Sequence, residues 1–125
     1  MRNKKISVLI VDDSERFAQR MTSMLIEMEA ISMIQWAGNY NDAFNLLDNN
    51  KADVILLDIS LPGKSGIDLL QKIKQLEWDC TVIMLSNFSA TYYKQECMRL
   101  GALHFLDKTS EFDLVPALIN DCHPN

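Results

Sequence analysis

Apolar residues in this chain come in short, dense runs separated by longer stretches of mixed character. Five runs stand out: Ile6–Val11, Ser32–Ala37, Asp53–Leu57, Thr81–Leu85 and Ala102–Leu106. The first, third and fourth are almost uninterrupted and rich in Val and Ile. Strands buried on both faces look like this, because helices cover either side of a parallel sheet. The second run, SMIQWA, alternates in part and suits an edge strand.

The stretches between the runs carry a helical period. Phe17, Met21, Met24, Leu25 and Met28 fall on one stripe, with Ser14 placed to cap it. Ala43, Phe44, Leu46 and Leu47 form a second stripe, after Asn39 or Asn41 as cap. A third holds Ile67, Leu70, Ile73 and Leu76 and starts at Ser65 or Gly66. A fourth helix is expected from about Ser89 to Leu100, stopped by Gly101. The fifth carries Val115, Leu118, Ile119 and Cys122, with Ser110 as its cap, and the HPN tail is expected to fray. Strand and helix thus alternate five times. The pattern predicts one doubly wound α/β domain over residues 1–125, with a core from about residue 5 to 122.

Glycine content narrows the fold further. The chain has four glycines, none of them after the first strand, so the G-x-G-x-x-G of a dinucleotide fold is missing. GKSG at 63–66 lacks the earlier glycine of a P-loop and follows the third strand. The remaining choice is the flavodoxin-like order 2-1-3-4-5, a (βα)5 parallel sheet in a three-layer α/β/α sandwich.

Composition removes several function classes. With 125 residues, 48% of them hydrophobic, the chain can build a real core. A net charge of −5 argues against a nucleic-acid surface, and the basic run Arg2, Lys4, Lys5 sits at the terminus. Cys80, Cys97 and Cys122 are odd in number and lack C-x-x-C spacing, which fits reduced, packed thiols better than a disulfide frame or a zinc knuckle. The helical spacing of Met21, Met24 and Met28 fits core packing better than metal ligation. No apolar run is long enough to span a membrane and no leader is visible, so a cytoplasmic location is expected.

The chemistry gathers where such sheets place it, at the C-terminal ends of the strands. Asp12 and Asp13 end the first strand, Asp58 the third and Ser86 the fourth, while Lys108 follows the fifth. Any one aspartate there is an ordinary helix cap, and Asp12 or Asp13 could cap the first helix. All five positions on neighbouring strand ends are not so explained. Adjacent carboxylates repel, and a divalent cation relieves the repulsion. Oxygen ligands suit Mg²⁺ or Mn²⁺, and neither histidine lies beside the acids as zinc would want. A carboxylate beside such an ion can attack phosphorus, with the ion and a lysine neutralising the transferring group. Asp107 points the other way by strand parity and is expected to be ordinary surface.

These residues resemble the receiver domain of bacterial two-component response regulators. The resemblance rests on the acid pair Asp12–Asp13, on DISLPGKSG at 58–66 with Pro62 and Gly66, and on Ser86 and Lys108 in that order. It implies Asp58 as phosphoacceptor. It implies Mg²⁺ held by Asp13, Asp58 and the Ser60 carbonyl, with Asp12 acting through water. Lys108 would pair with the phosphoryl group, and Ser86 would bond it after transfer and move with Phe105 as a switch. Ser60 and Phe88 would tune hydrolysis. The output surface would be helix four, strand five and helix five, with Tyr92, His104 and Phe112 as contacts and Tyr93 turned to the core.

Implied partners are a sensor histidine kinase and a second copy on phosphorylation, with no direct nucleic-acid or membrane binding by this domain. GALHFLDKTSEFDLV is nearest in style to the nitrate-responsive, LuxR-like regulators. Those usually carry a C-terminal helix-turn-helix, so the resemblance implies either such a domain beyond residue 125 or a stand-alone receiver. Thr109 stands where the family commonly has proline, so a trans peptide is expected after Lys108, a cis bond there costing ~2.5–4 kcal/mol. The rivals are a Mg²⁺-dependent phosphohydrolase with an aspartyl nucleophile and a binding module that no longer takes phosphate. The first lacks an insertion able to form a lid, and the complete residue set argues against the second.

Overall fold

A computed structural model of the chain describes residues 5–87 and 91–122. It contains β1 (Ile6–Val11), α1 (Glu15–Leu25), β2 (Ile31–Ala37), α2 (Tyr40–Asn49), β3 (Val54–Asp58), α3 (Gly66–Gln75), β4 (Thr81–Ser86), α4 (Thr91–Arg99), β5 (His104–Asp107), a 3-10 turn (Phe112–Leu114) and α5 (Val115–Asp121). The strands form one parallel sheet in the order β2-β1-β3-β4-β5, as the sequence pattern predicts.

The dense apolar runs are explained by two cores, one on each face. Leu9, Val11, Ile55, Leu57, Val82 and Met84 point to the α2, α3 and α4 side. Their neighbours Val8, Ile10, Val54, Leu56, Ile83 and Leu85 point to the α1 and α5 side. Period-two alternation therefore buries every residue of β3 and all but one of β1 and of β4. β2 lies at the edge and leaves Met33 and Trp36 exposed.

Caps set the helix entries that aim the site. Ser14 accepts from the Phe17 amide at the start of α1, and Asn39 accepts from the Asp42 amide at the start of α2. Ser65 and Asp68 form a reciprocal capping box at α3. Gly101 takes φ +103° just after α4, as expected of a C-cap glycine.

Several expectations need correction. Ser110 does not cap α5: its amide is held by Asp107, and a 3-10 turn carries the chain to a start at Val115, with Pro116 in the first turn. Tyr93 does not enter the core, because its ring lies against Tyr92 at 5.6 Å while Cys97 and Leu100 supply the inner face of α4. The Ser89 helix start and the HPN tail lie outside the described residues.

Candidate functional site

β1 and β3 are neighbours, so their ends bring Asp12, Asp13 and Asp58 together. One carboxylate oxygen from each lies within 4.8 Å of the other two. Consecutive residues at a strand end face opposite ways. Asp12 is accordingly buried, 1% exposed, and Asp13 faces solvent. Asp12 Oδ1 accepts from the Ser14 amide at 2.9 Å. Its other oxygen, Oδ2, lies 2.7 Å from Lys108 Nζ as an ion pair, but no well-directed hydrogen bond satisfies it.

Lys108 is delivered by β5. Its amide donates to the Ser86 carbonyl at 2.9 Å, extending the β4–β5 ladder by one residue. The ammonium reaches Asp12 first and stands 3.5 Å from Asp58 Oδ2. It also sits 4.4 Å from the centre of the Phe17 ring, within cation–π range. Phe17 meets Phe112 edge-on at 5.7 Å, and the Arg20 guanidinium covers Phe112 at 4.8 Å.

Asp58 is 5% exposed, and burial pushes its carboxyl up to about 6, with the Asp12 charge adding to the rise. The Lys108 charge and the Ser60 amide, which donates to Asp58 Oδ1 at 3.2 Å, pull the other way. Asp12 and Asp58 share one ammonium and Asp13 stands beside them at the rim, leaving negative charge uncompensated. The three converging oxygens, with Asp12 Oδ2 ion-paired to Lys108 but lacking a well-directed hydrogen bond, fit a hard divalent cation with oxygen ligands.

The loop after Asp58 is shaped by glycine. Gly63 takes φ +77° after Pro62. Gly66 is needed for a different reason. A Cβ there would lie 2.0 Å from the Asp58 carbonyl oxygen, so close approach and not positive φ excludes a side chain. The loop after Lys108 has no such residue. There Asp107 Oδ1 accepts from the Thr109 and Ser110 amides at 2.8 and 2.9 Å, and the Asp107 amide donates to Glu111 Oε1 at 2.9 Å. Asp107 faces away from the acids as expected but is no ordinary surface residue. The Ser110 and Thr109 amides hold its carboxyl below the usual carboxylate range. D-x-T-S is an Asx-turn signal that could have shown this in the sequence. The Lys108–Thr109 peptide is trans.

Ser86 is buried at the end of β4, and Phe105 is half-buried against the α2–α4 core. Ser60 is exposed beside Asp58. Tyr92 is exposed on α4, and His104 is half-buried at the start of β5. Phe112 is half-buried, its ring edge-on to Phe17 of α1. Phe88 lies outside the described residues.

Comparison with known proteins gives this arrangement its family. The model of the response regulator receiver domain matches residues 8–120. The chain belongs to the response regulator receiver family. Among curated relatives, a protein-glutamate methylesterase/protein-glutamine glutaminase of Clostridium acetobutylicum is 38% identical over 107 residues, covering 84% of this chain and 31% of the relative. The transcriptional regulatory protein MalR of Bacillus subtilis is 29% identical over 116 residues, covering 93% of this chain and 49% of the relative. The chain thus spans from about a third to about half the length of these relatives. Among solved structures, the receiver domain of the Francisella response regulator 1452 superposes with a TM-score of 0.86 at 28% identity, covering 94% of this chain and 96% of that one. The response regulator domain of Thermotoga maritima CheB superposes at 0.82 with 26% identity, covering 95% and 94%. As a receiver, the chain is a signalling domain, and Asp12, Asp13 and Asp58 form the acidic cluster with which such domains accept phosphate. Among the described residues no helix is long and apolar enough to cross a membrane.

Proposed function

We propose that Asp58 accepts a phosphoryl group from a sensor histidine kinase, in a reaction that needs Mg²⁺ or Mn²⁺. The observation that carries this is Lys108, paired with Asp12 at 2.7 Å yet 3.5 Å from Asp58. An Asp58 oxygen attacks phosphorus, the P–N bond of the donor phosphohistidine breaks, and the electron pair leaves with the imidazole. Lys108 then shifts from Asp12 toward the new phosphoryl oxygens. Asp13, Asp58 and the Ser60 carbonyl are the direct cation ligands in this reading, with Asp12 acting through water. The bound ion supplies charge neutralisation at the transferring phosphoryl oxygens. Ser86 bonds the group after transfer and Phe105 follows it, altering the face of α4, β5 and α5 that bears Tyr92 and His104.

The output is protein–protein contact, including a second phosphorylated copy. The matched relatives include both a methylesterase and a transcriptional regulatory protein. The LuxR-like style of the sequence favours a DNA-binding helix-turn-helix as the output domain, with no direct nucleic-acid or membrane contact by the receiver.

Intact mass after incubation with acetyl phosphate and Mg²⁺ tests the reading. One added phosphoryl group is expected, absent in Asp58→Asn and in EDTA. No addition to a wild type that binds Mg²⁺, from acetyl phosphate or from a phosphorylated histidine kinase, would overturn it. Rapid multiple turnover of a phosphomonoester would favour the phosphohydrolase instead.

A further inference from the structure

Trp36 lies at the end of the edge strand, 42% exposed, yet its indole N–H is turned inward. Nε1 donates to the backbone carbonyl of Asp12 at 2.7 Å, a short bond for an N–H donor. The β1–β2 ladder explains why this carbonyl needs a side-chain donor. Its last rung is the Asp12 amide on the Ala37 carbonyl, at 3.0 Å. Two residues further on, Asn39 has left the sheet to cap α2. The indole therefore takes the place of a further strand residue. Gly38 lies against the ring: a Cβ there would be in ordinary van der Waals contact with Trp36 Cζ2 at 3.6 Å and 4.0 Å from the Asp12 carbonyl oxygen. On its other side Trp36 shares a groove with Glu15, Ala18, Gln19 and Thr22 of α1. One side chain thus ties β2 to the β1–α1 loop.

The bonded carbonyl belongs to the planar peptide that joins Asp12 to Asp13. Rotating that peptide would swing both carboxylates, one away from Lys108 and the other away from the rim. We infer that Trp36 is a positioning residue for the cation site, its N–H fixing the peptide that aims Asp12 and Asp13. This rests on the cation-site reading above. Trp36 touches neither the ion nor the phosphoryl group and acts only through that peptide.

The test changes a single donor. Position 36 is replaced with 3-benzothienylalanine, which keeps the bicyclic ring and puts sulfur in place of N–H. A second sample carries 5-fluorotryptophan at position 36, which keeps the donor. Mn²⁺ affinity is measured on both and on wild type from the free-ion signal in electron paramagnetic resonance. Circular dichroism melting without metal checks that all three fold. Loss of one backbone-directed hydrogen bond should weaken Mn²⁺ binding by about two- to tenfold in the donor-less protein, with the fluorinated one like wild type. A difference below about twofold between the two analogues would overturn the inference, since that is the lower end of such a bond's worth. Failure of the wild type itself to bind Mn²⁺ would instead sink the cation-site reading.

Discussion

The loop after β3 and the loop after β5 each carry one working residue off a strand end, Asp58 in one case and Lys108 in the other. The first loop is set by covalent shape. Gly66 is pressed against the Asp58 carbonyl, Gly63 takes φ +77°, and Ser65 with Asp68 seals the helix entry. The second loop has neither glycine nor proline between Asp107 and Phe112 and is fastened by carboxylates. Asp107 gathers the Thr109 and Ser110 amides, and Glu111 gathers the Asp107 amide. The acceptor therefore sits in a rigid seat, while the lysine proposed above to shift toward phosphate hangs on bonds that can be made and broken. Steric seats fail when atoms are added, and carboxylate fastenings fail when charge is removed.

The largest effect should come from adding one methyl. Gly66→Ala puts a Cβ against the backbone of Asp58 and Ile59, neither of which is a flexible side chain. A loss of more than about 3 kcal/mol in urea unfolding is expected, or no folding at all. Gly63→Ala is the matched contrast, since nothing lies within 4 Å of its Cβ and only the positive φ is strained. Its cost should be about 1 kcal/mol by the same measurement. Equal costs at the two sites would break the claim that close approach shapes this loop.

Charge at the seat comes next. The Asp58 carboxyl is raised from 3.8 to about 6 by burial and by Asp12, so the folded protein binds that proton more tightly than the unfolded chain does. Its ionisation consequently destabilises the fold. The cost is absent well below 3.8, grows as pH rises, and is complete above about 6. Asp58→Asn should stabilise the metal-free domain at pH 8, by about 1–3 kcal/mol, and hardly at all at pH 3.5. Mg²⁺ should reverse the ranking at pH 8 by stabilising the wild type alone. Calorimetric melting of both proteins with and without Mg²⁺ checks each sign. Below about 6 the proton also competes with the cation, so wild-type Mg²⁺ affinity should fall with acidity.

The lysine loop should respond differently to acid. Asp107 is held below its usual range by the amides it accepts, so the stability it contributes is present above the ordinary carboxylate value and is lost as pH falls through the lowered one. As pH falls through about 6 the acceptor should thus lose its charge while the Asp107 fastening stays in place. Asp107→Ala, which unfastens it at any pH, should speed hydrogen exchange at Thr109 and Ser110. It should slow phosphorylation by up to about tenfold through misplacement of Lys108. Unchanged exchange would show that Glu111 holds the loop alone.

The difference between the loops also marks what a sequence discloses. Strands whose two faces are both buried announce themselves as unbroken apolar runs, and the acids stand out because they follow such runs directly. Gly66 is visible as a glycine, but its reason is not, because the Asp58 carbonyl that excludes a Cβ is eight residues away in sequence. Asp107 looks like surface because its partners are backbone amides, which leave no trace in residue type. Tyr93 fails for another reason: helical spacing fixes the side of α4 it occupies, not how deeply the ring is covered. Trp36 reads as one more apolar residue of an edge strand until its N–H is traced to Asp12.

The Lys108 ammonium rests 4.4 Å from the centre of the Phe17 ring. A proton above an aromatic face is shielded by the ring current, so the ε-methylene protons of Lys108 should resonate upfield of their ordinary position. Under the proposed function the ammonium would leave the ring for a phosphoryl group, and that shielding would be lost. One pair of resonances would then count switched molecules in a mixed sample, with no dye, antibody or engineered probe. In slow exchange the resting and switched states would give two peaks, in fast exchange a single averaged one, so the same lysine would also time the switch.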